Sequence, residues 1–117
     1  MSNDFSETAL LADRLIAKQF GDAPRELKDT VLLARNALQK RNKGFALKEL
    51  RAAEKILKNH PQIAADWQAE LYAAWAYFHF LMDEEAKMYQ ALSRAIRLEP
   101  ENALIAELRE LLGENGK

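Results

Sequence analysis

Two stretches of this chain carry the same punctuation 39 residues apart: Ala37, Gly44 and Pro61 are answered by Ala76, Asp83 and Pro100. Between the markers, each copy holds two apolar stretches rich in helix-forming residues. A two-helix unit cannot bury its apolar side alone, so a repeat of this kind implies stacked neighbours around a shared core. The expected fold is all-α, built of antiparallel helical hairpins stacked as a short superhelix. Such stacks mostly bind other proteins, which sets a class of function but not a partner.

Six helices are expected from local signals. The first spans roughly Phe5 to Phe20, with Leu10, Leu11, Leu15 and Ile16 on a broad apolar side, and Gly21 stops it. Asp22 offers an N-cap oxygen and Pro24 suits a first turn, opening a second helix that runs to about Arg41. Asn42-Lys43-Gly44 reads as a turn, and the third helix follows from Phe45 to about Asn59, ahead of Pro61. A fourth runs from about Ala64 to Met82, and Asp83 is placed to cap a fifth that ends near Leu98, before Pro100. Asn102 opens a last helix with Leu104, Ile105, Leu108, Leu111 and Leu112, closed by Gly113, with a frayed tail. No segment alternates with period two, and short linkers make consecutive helices antiparallel neighbours. The chain reads as one domain over residues 1–117: an N-terminal helix (5–20), two hairpins (24–60 and 61–99) and a capping helix (101–112).

Composition agrees with a folded helical domain. The 117 residues are 49% hydrophobic and 30% charged, with four Gly and three Pro. There is no cysteine, which excludes disulfides and thiolate metal sites and is compatible with a reducing cytoplasm. The first 22 residues lack the basic start and unbroken apolar run of a signal peptide, and no run has the length of a membrane span. The expectation is a soluble, cytoplasmic protein with no membrane partner. Net charge is −1, yet residues 35–58 hold eight Lys or Arg against Glu49 and Glu54, a balance of +6.

The second copy resembles a tetratricopeptide repeat. Counting back from Pro100, Ala95 stands where that family prefers a small residue, Leu92 replaces its aromatic, and Ala76 occupies the position of closest helix approach. The stretch Ala91–Asn102 is similar to a repeat's end, and Trp67 lands where the opening Trp would stand, counted forward from Pro61. The two counts differ by five residues, so the unit is longer than the roughly 34-residue standard. Met88 and His79 also depart from the pattern, and the first copy matches only at Ala37, Gly44 and Pro61. The resemblance implies a non-catalytic, tetratricopeptide-like module that binds a peptide or helix in a concave groove, as an adaptor, chaperone or assembly factor. On the family positions, Glu70, Ala73, Tyr77 and Phe80 would line that groove beside Val31, Ala34, Leu38 and Arg41, with Arg35 alongside. The family's carboxylate-gripping mode is not expected, because Ala34, Leu38 and Ala74 stand where its Lys, Arg and Asn belong.

The fourth helix concentrates six of the ten aromatics within 14 residues: Trp67, Tyr72, Trp75, Tyr77, Phe78 and Phe80. A helix apolar nearly all round is normally covered on several sides. The residues alone therefore leave two readings of Tyr77 and Phe80. Either they face an open groove, or the N-terminal helix or a second copy of the chain covers them.

Other chemistry finds little footing. Lys48, Arg51, Lys55 and Lys58 share one stripe of the third helix, but without aromatics for base stacking this reads as solvated surface rather than a nucleic-acid face. His60 adjoins a proline, and His79 lies between Phe78 and Phe80, where a satisfied hydrogen bond is the expected role. Asp83-Glu84-Glu85 fits a helix start, where acidic groups complement the dipole. There is no phosphate loop and no nucleophile motif, so neither an enzyme nor a cofactor is expected. The expected partner is a protein or peptide. Self-association is the competing reading, because two repeats leave much apolar surface to cover, and nucleic-acid binding through residues 35–58 is a third.

Overall fold

The computed structural model describes residues 6–63 and 65–113. They form six helices: α1 (Glu7–Gln19), α2 (Ala23–Gln39), α3 (Lys43–Asn59), α4 (Ala65–Leu81), α5 (Glu85–Leu98) and α6 (Ala103–Leu111). The described residues contain no strand. The expected starts at Phe5 and Ala64, and the tail beyond Gly113, lie outside them.

Local chemistry sets most boundaries. Ser6, Asp22 and Asn42 each accept from a backbone N–H in the first turn of α1, α2 and α3, at 3.3 Å in every case. Each such cap stabilises its helix by about 1 kcal/mol. Asn102 caps α6 twice over, its Oδ1 accepting from the N–H of Leu104 at 2.9 Å and of Ile105 at 3.2 Å.

Three of the turns are the same object. Gly21, Arg41 and Asp83 take positive φ of 66°, 63° and 59°. In each turn the next residue's N–H reaches back to a carbonyl five residues earlier: Asp22 to Ala17, Asn42 to Ala37 and Glu84 to His79, at 2.8, 2.8 and 2.9 Å. This is the Schellman closure of a helix end. Two expectations change with it. Asp83 ends α4 rather than capping α5, whose N-cap is Glu84, and Gly44 lies inside the first turn of α3. Matching turn to turn pairs Arg41 with Asp83, an offset of 42, whereas Pro61 and Pro100 keep the offset of 39. The difference is absorbed by α5, which has 14 residues where α3 has 17.

The hairpins stack around α4, which packs against α2, α3, α5 and α6. Small residues make the close approaches possible: Ala69, Ala73, Ala74 and Ala76 on α4 are all buried, as are Ala34 and Ala37 on α2 and Ala53 on α3. Leu27, Val31 and Leu38 of α2, Leu50 of α3 and Met88, Leu92 and Ala95 of α5 fill the space between them. The far end is sealed by α6, which inserts Leu104, Ile105 and Leu108.

At the near end α1 packs on α2 through Leu10, which meets Leu32 and Leu33, and through Ala17. Polar contacts flank that strip on both sides. Arg14 pairs with the buried Glu49 of α3, its Nη2 at 3.3 Å from Oε2, and its Nη1 donates to Thr30 Oγ1 at 3.3 Å. On the other side Arg25 of α2 clamps the Asp13 carboxylate.

Candidate interaction surfaces

The residues expected to line a groove are divided by the fold. Val31, Leu38 and Ala73 are buried, and Tyr77 is only 1% exposed. They serve as core, not as an open wall. Glu70 is buried as well, while Arg35 and Phe80 are half-buried and Arg41 is exposed. Register is not the reason. The expected offset of 39 pairs Val31 with Glu70 and Leu38 with Tyr77, and the matching turns pair them with Ala73 and Phe80, which are expected groove positions as well.

The cover over Tyr77 comes from α6 rather than α1. The Tyr77 hydroxyl donates to Glu107 Oε2 at 3.2 Å and accepts from Arg41 Nη1 at 3.0 Å, while Gln39 Nε2 reaches Glu107 Oε1 at 3.1 Å. Burial pushes the Tyr77 phenol up. Next to it, Asn102 Nδ2 donates to Glu70 Oε1 at 2.7 Å and Arg35 Nη1 to Glu70 Oε2 at 3.4 Å. These polar groups bind one another across α2, α4 and α6, so they hold the stack closed.

Between α3, α4 and α5 lies an open cleft of about 380 Å³ lined by Tyr72, Trp75, His79, Glu54, Lys87 and Arg94. The Arg94 guanidinium sits over the Tyr72 ring at 5.7 Å, and Trp75 stacks on His79 at 5.5 Å. His79 Nδ1 lies 2.7 Å from Glu84 Oε1, the satisfied hydrogen bond expected of it. That bond, with Lys87 nearby, holds Glu84 below the usual carboxylate range. On α3, Lys48, Arg51, Lys55 and Lys58 are all exposed, as their stripe implied.

The surface that sequence reasoning missed lies on α1. Leu15 is 69% exposed, Ile16 43% and the C-cap residue Phe20 80%. Around the helix they share an arc of about 180° with Thr8, Ala9, Ala12 and Gln19, all exposed, and with the half-buried Leu11. No charged residue falls within that arc. An apolar stripe was legible on this helix, but only Leu10 and part of Leu11 turn inward. The signal available was the second apolar arc itself: Leu10 and Ala17 lie on one side, Leu11, Leu15 and Ile16 on another.

Between two carboxylates of this end, the buried Asp29 and the half-buried Asp13, there is a charge conflict. Asp29 of α2 is buried and one of its oxygens, Oδ2, has no hydrogen-bond partner. Burial, together with the nearby Asp13 carboxylate, pushes its pKa up to about 7. Asp13 moves the opposite way, held well below its ordinary value chiefly by the Arg25 guanidinium.

No helix of the described residues is long and apolar enough to cross a membrane. Comparison with protein-family models, with curated proteins and with solved structures finds no match to this chain.

Proposed function

We propose that the chain is a non-catalytic protein-interaction module built on tetratricopeptide-like hairpins, and that its contact surface is the outer half of α1. The observation that carries this reading is the uncharged, outward arc holding Leu15, Ile16 and Phe20. Apolar side chains scattered singly are ordinary, whereas neighbours on one face mark a surface that another protein covers. Each such side chain stabilises a contact by about 1.5–3 kcal/mol when fully buried. The partner is a protein in the cytoplasm, a setting with which a cysteine-free chain is compatible. The concave-groove version of the reading has less support, because Val31, Leu38, Ala73 and Tyr77 belong to the core.

The test is a photo-reactive amino acid placed at position 15 in cells that make the protein. Discrete protein adducts are expected on irradiation, and Phe20→Glu should abolish them. No adduct at position 15 under any condition would sink the reading.

A further inference from the structure

The outer half of α1 carries a charge pattern along one edge that selects what can lie on it. Next to Leu11 stand Glu7 at the start of the helix and Lys18 at its end, both exposed and within about 20° of each other around the axis. Neither forms an ion pair among the described residues. The opposite edge is occupied by Asp13, already held by Arg25.

Consider two copies of this helix face to face about a two-fold axis. If the helices run parallel, opposite edges meet, so the edge of Glu7 and Lys18 lies against the partner's Asp13 edge, whose carboxylate Arg25 already holds. If they run antiparallel, like edges meet with their ends exchanged. Glu7 of each copy then faces the partner's Lys18, and Leu11 of each lies across from the partner's Leu15. The positions that face each other sum to 25 in the first case and 26 in the second, so the two registers agree to within one residue. Isologous contact of this kind is self-complementary by construction.

The geometry points to a second copy of this chain as the occupant, bound by antiparallel pairing of α1 with α1, with Leu15 and Ile16 near its centre and Phe20 at its ends. This rests on the outer half of α1 being a protein-contact surface. The contact is small: α1 has 13 residues and is therefore about 20 Å long. A stable interface takes about 800 Å² per partner, so this dimer is weak, with a roughly micromolar dissociation constant. It forms and parts with concentration.

Sedimentation velocity on the full chain, from about 1 to 300 µM at low salt, tests this directly. A concentration-dependent dimer is expected. Leu15→Glu with Phe20→Glu should weaken it by at least about 100-fold while leaving the helical circular dichroism unchanged, since both side chains are exposed. A wild-type chain that stays monomeric throughout overturns the proposal. A dimer that survives the double variant does so too.

Orientation is tested by charge exchange. Glu7→Lys and Lys18→Glu should each weaken the dimer by about 3–10-fold, and the double exchange should return it to within about 3-fold of wild type. Each exchange opposes the helix dipole, and the two penalties add, so recovery in the double variant cannot come from a more stable helix. Singles and double equally weak would overturn the antiparallel pairing. The photo-adduct at position 15 separates this proposal from the one it rests on. An adduct at twice the chain's mass supports the second copy, and adducts only to another protein overturn it while leaving the contact surface in place. Absence of any adduct removes both.

Discussion

The two ends of this stack are finished in opposite ways. At the far end, α6 turns Leu104, Ile105 and Leu108 inward, and its Asn102 and Glu107 join the polar cluster over α4. At the near end, α1 buries only Leu10 and Ala17 along its length and leaves Leu15, Ile16 and Phe20 in water. Both are single helices packed on the hairpin stack, and both have apolar residues at helical spacing. What separates them is how completely the apolar surface is used. A closing helix spends it on the fold, and α1 keeps half of it for something else.

The sharpest way to break this contrast is to truncate one leucine at each end. Leu108→Ala should cost about 2–5 kcal/mol of stability in urea unfolding, because it opens a cavity in packed surroundings. Should it cost less than about 1 kcal/mol, α6 is not a seal.

The next test concerns pH and the near end alone. Asp29 has a raised folded pKa of about 7, so its contribution is complete below the unfolded value near 4 and is lost as pH rises through 7. Asp13 acts in the opposite sense: its contribution is present above its ordinary value and is lost as pH falls below it. The α1–α2 contact is therefore strongest near about pH 4 and weakens as pH rises towards 7. Stability should fall between pH 5 and pH 8, and Asp29→Asn should remove that loss, by on the order of 1–4 kcal/mol at pH 8. Parallel pH profiles for wild type and variant would show that the Asp13–Asp29 pair does not govern this end.

Asn102→Ala should follow at about 1–3 kcal/mol, since it removes the cap of α6 and one of the two partners of the Glu70 carboxylate together. Thermal unfolding monitored at 222 nm reads it. The smallest effect belongs to the near end again. Leu15→Ala should change unfolding free energy by less than about 0.5 kcal/mol, and a loss as large as that of Leu108→Ala would erase the distinction between the two helices.

Helices, caps and the placement of α6 were legible because they depend on neighbours in the chain. Gly21, Asp22, Asn102 and the prolines act within a turn of themselves. The sides of helices were harder. For α2 and α4 the visible markers were the prolines, but Pro61 and Pro100 follow α3 and α5, which differ by three residues. Either register leaves Val31 and Leu38 at expected groove positions, and what closes the groove is α6, whose Glu107 and Asn102 bond Tyr77 and Glu70. On α1 the choice between two apolar arcs is made by contacts distant in sequence. Arg14 and Asp13 flank Leu10 and Ala17, and their partners Glu49 and Arg25 fix which side turns inward. Nothing in the local pattern of α1 announces a glutamate 35 residues away.

The three-residue shortening of α5 also limits how the chain could be extended. Three residues amount to about 4.5 Å of rise and a rotation of about 300°. A further hairpin grafted after α5 in place of α6 would enter at a different height and angle from the step that relates α2–α3 to α4–α5. Building a longer tandem array from this chain would therefore mean lengthening α5 to match α3, not simply removing the closing helix.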